Sequence, residues 1–228
     1  MLGHKKILIA LLMTATQLLA RSPIDVLQMV KKIVCKNPVI LEAGAHNGEH
    51  TVVLSRAWPD GHIYAFEPYP EAYKKLVEAT KDLPNVTCYP IALFDRNGTI
   101  EFNVNLRGRN DGASSILKPA EIGRYWGPKI EVPCMTLEKW QRENNIDHID
   151  FFWLDMEGVE LQVLAHNPQL LEKTSALYVE VSFKEFRKEM TQCADISRFF
   201  EQQQFHEIYW HLYRWHQADI LFCRKEVW

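Results

Sequence analysis

Three acidic residues stand where predicted apolar strands end. Glu67 follows the strand predicted over 62–66, Asp155 follows an apolar run that ends at 154, and Glu180 lies near the end of another over 176–181. An acid in such a place carries a desolvation cost, so we expect it to bind a ligand or to stabilise its surroundings. A ring of acids suits hydroxyl binding, proton acceptance or a divalent ion. Helix capping by Asp155 and Glu157, and pairing of Glu180 with His or Arg, are the alternatives.

The loop after the first predicted strand is rich in glycine and begins with an acid. Gly44 and Gly48 let the backbone approach a ligand closely. His46 and Glu49 occupy the second and third glycine positions of a dinucleotide-binding loop, and the loop has no lysine for a phosphate loop. The carboxylate of Glu42 would also repel a pyrophosphate.

An adenosine ligand without a pyrophosphate fits this loop better. Glu67 stands where an acid commonly accepts hydrogen bonds from ribose hydroxyls. Together with Glu42, Gly44 and Gly48 it favours a positively charged nucleoside, and S-adenosylmethionine has this character. The alternative is that the two glycines only form a tight turn between strand and helix.

A third candidate segment lies in the irregular stretch 106–128. Ser114 and Ser115 follow Asp111 and could contact the substrate or form a lid, or they could belong to an ordinary polar loop. Histidines at five-residue steps near the end of the chain do not share one face of a strand. Five scattered cysteines without a CxxC indicate free thiols rather than a disulfide framework or a structural zinc site, so no residue is assigned as a metal ligand.

The elements that must position these residues alternate between strand and helix. Apolar strands separated by helices predict an α/β fold with a mostly parallel sheet. The strands are predicted at 38–41, 62–66, 86–89, 99–105, 130–134, 149–154 and 176–181, with helices at 22–35, 48–56, 70–82, 136–144, 159–166 and 195–203. Residues 205–224 read as two strands without a helix between them, which predicts an antiparallel pair at one edge. Asn97-Gly98 predicts an extra β-hairpin after the third strand.

Residues 1–20 stand apart from the domain predicted over 22–228. Two lysines precede an uncharged apolar stretch, which resembles a signal peptide or a membrane anchor but is too short for a confident membrane span. A helix of the fold itself, or a false start upstream of the domain, is the alternative. The formal net charge of −3 gives no basic excess, so nucleic acid is not expected as a partner.

Six ordered motifs over 38–183 carry a family resemblance. They are LEAGAHNGEHT (41–51), AFEPYPEAYKKL (65–76), IALFDRNGTIEF (91–102), GASSI (112–116) with VPCMTLEKW (132–140), IDFFWLDMEGVELQVL (149–164) and LYVEVS (177–182). The chain resembles the FkbM family of S-adenosylmethionine-dependent methyltransferases. The resemblance implies a Rossmann-like class I methyltransferase fold with a seven-stranded sheet. It also implies O-methylation of a hydroxyl on a sugar or small metabolite.

The resemblance also implies roles for particular residues. It places Asp155 and Glu157 near the reacting methyl group, as catalytic candidates. Two departures from the family's pattern are Glu42, where Asp is usual, and His46, where Asn is usual. The implied cofactor-binding residues are Glu42, Gly44, Ala45, Asn47, Gly48, Glu67, Ile91 and Ala92.

Other functions and the location of the protein stay open at this point. A methyltransferase acting on nitrogen or protein, and a non-catalytic module that binds a nucleoside or a glycan, are the alternatives. S-adenosylmethionine is made in the cytosol, which a secreted enzyme would not reach. We therefore expect a cytoplasmic or membrane-associated protein, with secretion through residues 1–20 left open.

Overall fold

The computed structural model describes residues 23–106, 111–120 and 127–227. Residues 1–20 lie outside this range, so the predictions for them are not addressed. The strands are β1 (Val39–Ala43), β2 (His62–Phe66), β3 (Val86–Tyr89), β4 (Ala92–Leu93), β5 (Gly98–Asn103), β6 (Lys129–Met135), β7 (Phe151–Leu154), β8 (Ala176–Ser182), β9 (Phe205–Arg214) and β10 (Gln217–Arg224). The helices are α1 (Pro23–Val30), α2 (Glu49–Ala57), α3 (Pro70–Thr80), α4 (Leu137–Asn144), α5 (Glu160–Leu164), α6 (Pro168–Glu172) and α7 (Cys193–Gln202).

A seven-stranded sheet forms the centre, in the order β3-β2-β1-β7-β8-β10-β9. The five neighbouring strands β3, β2, β1, β7 and β8 are parallel to one another, and β10 pairs antiparallel with both β8 and β9. This confirms the predicted mostly parallel sheet with an antiparallel edge pair. The sheet is of the Rossmann-like type, since its two inner neighbours β1 and β7 are far apart in sequence.

Apolar strands explain why both faces of this sheet are covered. All four residues of β7 are buried, and successive side chains point to opposite faces. Phe152 and Leu154 pack into one large core cluster, whereas Phe151 and Trp153 pack into the other. A parallel strand that is covered by helices on both faces requires an uninterrupted run of apolar residues.

The strand order also determines where a ligand fits. From β1 the chain proceeds to β2 and β3 on one side, and β7 pairs with β1 on the other side. Such a switch point opens a crevice at the carboxyl ends of the two diverging strands. Ala43 is the register partner of both Phe66 and Leu154, so the loops after β1, β2 and β7 begin side by side.

The prediction of an extra β-hairpin after the third strand is wrong. The chain does reverse before Gly98, but β4 and β5 do not pair with each other, because β6 lies between them in a separate three-stranded sheet. Ala92 and Gly98 are both register partners of Cys134, one on each edge of β6. A turn signal predicts a reversal of direction, but it does not reveal that a third strand, which begins only at Lys129, inserts between the two.

Several local signals act as expected. Thr136 is the N-cap of α4, where its side chain accepts a hydrogen bond from the Lys139 backbone N–H. Helix α1 begins at Pro23 but ends at Val30, earlier than predicted. No helix within the described ranges is long and apolar enough to cross a membrane.

Candidate functional site

A cleft opens at the carboxyl edge of the sheet, above the switch point. Its walls come from the loops after β1, β2 and β7, from β4 and β5, and from the turn around Asp111. The lining residues are Ala43, Gly44, His46, Phe66, Glu67, Pro68, Ile91, Ala92, Leu93, Phe102, Asp111, Gly112, Ser114, Ile116, Asp155, Met156 and Val159. The cleft thus has an apolar side and three carboxylates, a combination typical of small-molecule sites.

Gly44 is required by the geometry of the first loop. Its φ is +86°, and a Cβ at this position would lie 1.8 Å from the backbone oxygen of Asp155. The backbone N–H groups of Gly44 and Ala45 both donate to the Phe66 carbonyl at 3.0 Å. The loop is therefore pressed between the ends of β2 and β7, so a side chain at Gly44 would force them apart.

Glu67 lines the cleft and is held by the backbone on both sides. Its Oε2 accepts the His46 N–H at 2.8 Å and its Oε1 accepts the Tyr69 N–H at 2.7 Å. Burial raises the pKa of Glu67, and the two backbone donors oppose this shift. Each carboxylate oxygen keeps a second lone pair for a further donor, so Glu67 is a preorganised acceptor at the cleft wall.

Glu42 occupies a different environment from Glu67. It lies within β1 rather than after it, is 1% exposed, and does not line the cleft. Among the residues that the structure describes, none lies in hydrogen-bond geometry to either of its carboxylate oxygens. Burial raises its pKa from 4.5 to about 8, with the nearby Thr51 hydroxyl opposing the shift and the charge of Glu67 adding to it. Its predicted contact with the cofactor stays a prediction.

Of the other predicted cofactor-binding residues, some line the cleft and others do not. Ile91 and Ala92 line the cleft, whereas Ala45, Asn47 and Gly48 do not. The Asn47 side chain is used locally, since it accepts the Glu49 N–H and donates to the Glu49 carboxylate at the start of α2. For Ala45, Asn47 and Gly48, cofactor binding stays a prediction.

Asp155 is the predicted catalytic residue that faces the cleft. It follows β7, and one carboxylate oxygen each of Asp155, Glu157 and Glu180 lies within 4.8 Å of the others. Burial and then the charge of Glu157 raise the pKa of Asp155 well above its ordinary value. The structure thus brings together three acids from two neighbouring strand ends, which we call the acidic cluster.

Glu157 is turned away from the cleft and paired. Its φ of +59° bends the chain after β7, and its Oε2 lies 2.6 Å from the Arg187 Nη1. Arg187 is 3% exposed and also donates to the Ala113 carbonyl at 2.8 Å. Burial and the charge of Glu180 raise the pKa of Glu157 to about 8, although Arg187 opposes the shift. Sequence reasoning missed Arg187, because nothing in its local sequence distinguishes it.

The two serines of the predicted lid have structural contacts. Ser114 lines the cleft, donates to the Asp111 carbonyl at 2.6 Å and accepts the Asn105 N–H at 3.0 Å. Ser115 is buried and donates to the Glu157 carbonyl at 3.2 Å. The Ser115 bond joins the segment to the loop after β7, whereas the bonds of Ser114 stay within residues 105–114. Contact of either serine with a substrate stays a prediction.

Asp111 joins this segment to the first loop. Its Oδ1 lies 2.7 Å from His46 Nε2, and its Oδ2 lies 3.3 Å from Lys75 Nζ. These contacts oppose the effect of burial and hold the pKa of Asp111 below its ordinary value. His46, one of the departures from the family pattern, therefore ties two walls of the cleft together.

The cleft fits S-adenosylmethionine by the chemistry of its walls. Glu67 offers oriented carboxylate oxygens for ribose hydroxyls, and Ile91, Ala92 and Phe102 offer apolar surface for a base. Gly44 brings backbone to the cleft where a Cβ has no room. The carboxylates suit a cationic ligand and disfavour a pyrophosphate.

Comparison with known proteins agrees with this geometry. The sequence model of the methyltransferase FkbM domain family matches residues 42–207. The 2-O-methyltransferase NoeI of Sinorhizobium fredii (strain NBRC 101917 / NGR234) is 30% identical over 180 residues, which are 72% of this chain and 73% of that protein. The methyltransferase sdnD of Sordaria araneosa is 28% identical over 159 residues, which are 56% of this chain and 60% of that protein.

Solved structures share the fold at low sequence identity. An rRNA methylase from Streptococcus thermophilus has a TM-score of 0.52 at 12% identity, covering 90% of this chain and 97% of its own. M. capricolum TrmK, solved with S-adenosylhomocysteine, has a TM-score of 0.52 at 10% identity, covering 92% and 70%. The family match spans most of the chain and includes each strand end that forms the cleft, so this chain belongs to the FkbM methyltransferase family and is an S-adenosylmethionine-dependent methyltransferase.

Proposed function

We propose that the enzyme methylates a hydroxyl of a sugar or small metabolite and that Asp155 accepts the hydroxyl proton. The observation that supports this most is that Asp155 is the member of the acidic cluster that lines the cleft, next to the close approach of Gly44. NoeI, a relative over most of this chain, is named a 2-O-methyltransferase, which favours oxygen as the acceptor atom.

The cofactor would be held by residues from both sides of the cleft. Glu67 would accept hydrogen bonds from ribose hydroxyls, and Ile91 and Ala92 would pack against the adenine. When bound, S-adenosylmethionine supplies an activated methyl group on a cationic sulfur. The chain's own task is then to orient the acceptor and to exclude water, which supplies much of the rate in such transfers.

Asp155 and Glu157 would have different roles. A hydroxyl becomes a better nucleophile as it loses its proton, and a positioned base contributes roughly 10²–10⁴-fold. Asp155 lines the cleft and so can receive this proton from an acceptor there. Glu157 is paired with Arg187 and its carbonyl accepts from Ser115, so it would position the loop after β7.

The test has a binding arm and a turnover arm. S-adenosylhomocysteine is titrated by calorimetry, and methyl transfer from labelled S-adenosylmethionine is followed with a panel of glycosides, small alcohols, amines and a protein extract. We expect binding, and label on a hydroxyl compound. Label on amines or protein alone would contradict the proposal, as would an absence of binding.

The Asp155→Asn variant tests the base. We expect turnover to fall by roughly 10²–10⁴-fold, because the amide cannot accept the proton. The affinity for S-adenosylhomocysteine should change less than about threefold, since Asp155 is not among the proposed cofactor contacts and a threefold change is under about 1 kcal/mol. Asp82→Asn, the same substitution at an exposed position, is the control. Loss of cofactor affinity without a separate loss of turnover would show that the assignment is wrong.

A further inference from the structure

We propose that His46 is a positioning residue whose ring holds the acceptor side of the cleft in place, while its backbone serves the cofactor side. The backbone N–H of His46 donates to Glu67 Oε2 at 2.8 Å. The ring Nε2 lies 2.7 Å from Asp111 Oδ1, and because an ionised carboxylate only accepts hydrogen bonds, Nε2 carries the hydrogen. One residue thus contacts the carboxylate proposed to bind ribose and also a segment from another wall of the cleft.

The backbone of His46 has an uncommon conformation. Its φ is +49°, in the left-handed region that few residues other than glycine adopt, although asparagine and histidine tolerate it better than most. Such a conformation costs energy and persists where surrounding contacts fix it, often at functional sites. Contacts on both sides fix it here, because Glu67 binds the backbone N–H and Asp111 binds the ring.

Asp111 begins a short segment, residues 111–115, that is held at both ends. At the far end, Ser115 exchanges two backbone hydrogen bonds with Asn103 of β5, at 2.8 and 3.1 Å. At the near end, the Asp111 carboxylate contacts His46 and also Lys75, whose Nζ is 3.3 Å away and whose side chain is more than half exposed. An exposed lysine contributes little to such a contact, so the bond to His46 restrains Asp111 more strongly.

The same segment is joined to the loop that carries the proposed base. The Ser115 hydroxyl donates to the Glu157 carbonyl at 3.2 Å, two residues after Asp155. Asp111 and Ser114 line the cleft together with Asp155. A displacement of the segment would therefore change the space in which a hydroxyl approaches Asp155, and small misplacements are costly in a reaction that depends on orientation.

This inference rests on the proposed function, because it takes the acceptor to lie between the 111–115 segment and Asp155. It goes further by giving the backbone and the side chain of His46 separate tasks. A substitution of the side chain leaves the backbone N–H in place, so the cofactor side should be preserved. Loss of the ring removes the contact with Asp111, so the acceptor side should be impaired. The expected signature is a lower kcat/KM for the acceptor at an almost unchanged affinity for the cofactor.

Two substitutions with opposite strengths test this assignment. His46→Asn suits the left-handed backbone, but its side chain is too short to reach Asp111 as Nε2 does. His46→Gln suits that backbone less well, but it can place an amide N–H close to the position of Nε2. If the reach of the side chain matters, His46→Gln is the better enzyme. If only the backbone conformation matters, His46→Asn is at least as good. His206→Ala, a change of an exposed histidine on β9, is the control.

The full-length chain is measured in three ways, with the hydroxyl compound that takes up label in the panel above as the acceptor. We expect His46→Asn to lower kcat/KM for this compound roughly 5–30-fold, since a partly exposed hydrogen bond to a charged group contributes less than a buried one. His46→Gln should lower it less than about threefold, and the dissociation constant for S-adenosylhomocysteine should stay within about threefold of the wild type in both. Hydrogen exchange of the backbone amides over 111–116 should be faster in His46→Asn than in His46→Gln or the wild type.

Three outcomes would overturn the inference. They are wild-type exchange and kcat/KM in His46→Asn, a His46→Gln variant as impaired as His46→Asn, and a loss of cofactor affinity that accounts for the whole loss of kcat/KM. Circular dichroism verifies that each variant is folded. If no hydroxyl compound is methylated by the wild type, the proposed function fails, whereas hydrogen exchange still decides whether His46 holds the segment. If hydroxyl methylation proceeds and the variants behave alike, only the role of His46 is wrong.

Discussion

Acidic side chains occur in two regions of the carboxyl edge of the sheet, and the two regions are built differently. After β2, Glu67 is satisfied by the backbone N–H groups of His46 and Tyr69. After β7 and within β8, three carboxylates crowd together, and Arg187 contacts one of them. Backbone donors stabilise the charged carboxylate in the first arrangement, whereas mutual repulsion in the second favours the protonated carboxyl groups.

The difference shows how acids of the same type serve two tasks. A carboxylate fixed by backbone donors presents the same acceptor before and after binding, which suits recognition of a cofactor. Burial raises the pKa of carboxylates in both regions, but the backbone donors oppose this at Glu67, whereas neighbouring carboxylates raise the pKa of Asp155 and Glu157 further, which suits proton acceptance. Under the proposed roles, cofactor binding and proton acceptance would belong to strand ends that lie on either side of β1.

The largest expected effect comes from breaking the acidic cluster's ion pair. Arg187→Met leaves the buried carboxylate of Glu157 without its cation, and we expect a loss of about 3–5 kcal/mol in the free energy of unfolding. Urea unfolding followed by fluorescence measures it. The Glu157→Gln, Arg187→Met double variant should recover part of this loss, because the carboxylate that lost its cation is then absent. A double variant no more stable than Arg187→Met would contradict the pairing argument.

An exposed pair offers the matched control for this experiment. Arg198 Nη1 lies 3.0 Å from Asp195 Oδ1 on α7, and both side chains are more than half exposed. Arg198→Met should therefore cost no more than about 1 kcal/mol.

An intermediate effect is expected at the satisfied region. Glu67→Gln replaces one acceptor with an amide NH₂, which cannot accept from the backbone and removes the charge that ribose hydroxyls would meet. A hydrogen bond to a charged group contributes about 1.5–3 kcal/mol, so the dissociation constant for S-adenosylhomocysteine should rise by roughly 10–100-fold. Calorimetry measures the dissociation constant, and Glu201→Gln, an exposed change on α7, is the control. An unchanged dissociation constant would remove Glu67 from the cofactor site.

The smallest effect per step of the measurement is a pH dependence of stability that comes from Glu42, which belongs to neither region, and it accumulates over several pH units. Its pKa of about 8 in the folded chain lies above 4.5, so folding favours the protonated form. The free energy of unfolding should then fall as pH rises from 4.5 towards 8, with a slope of up to about 1.4 kcal/mol per pH unit. Glu42→Gln lacks this contribution. Urea unfolding at pH 5, 6, 7 and 8 should show a wild-type curve that falls more steeply, and parallel curves would show that Glu42 titrates normally.

Much of this architecture follows from local patterns in the sequence. The apolar runs around Ile63 and Phe152 predicted β2 and β7, and Thr136 predicted the start of α4. Gly44 was correctly placed in a loop that needs glycine, since its φ is positive and a neighbouring backbone leaves no room for a Cβ. These features depend on residues close in the chain, where periodicity and turn chemistry act directly.

Local patterns could not separate acids that look alike in sequence. Glu42 and Glu67 both precede turns at predicted strand ends, but Glu42 pairs in register with Ala65 and Trp153 inside the sheet, whereas Glu67 comes one residue after β2. A shift of one residue decides which face a side chain takes, and strand boundaries are least determined by sequence. The position of β6 between β4 and β5 was missed for another reason, because it depends on pairing between strands that are distant in the chain.

By itself, the sequence determined which residue types stand at the strand ends: acids, loop glycines and apolar neighbours that favour a cationic nucleoside over a dinucleotide. Only the tertiary structure decided which of them meet. Arg187 reaches Glu157 and Ala113, and Asp111 reaches His46 and Lys75, across separations of 30 residues or more. Such contacts depend on strand order and on loop packing, because residues distant in the chain become neighbours only when the sheet has formed.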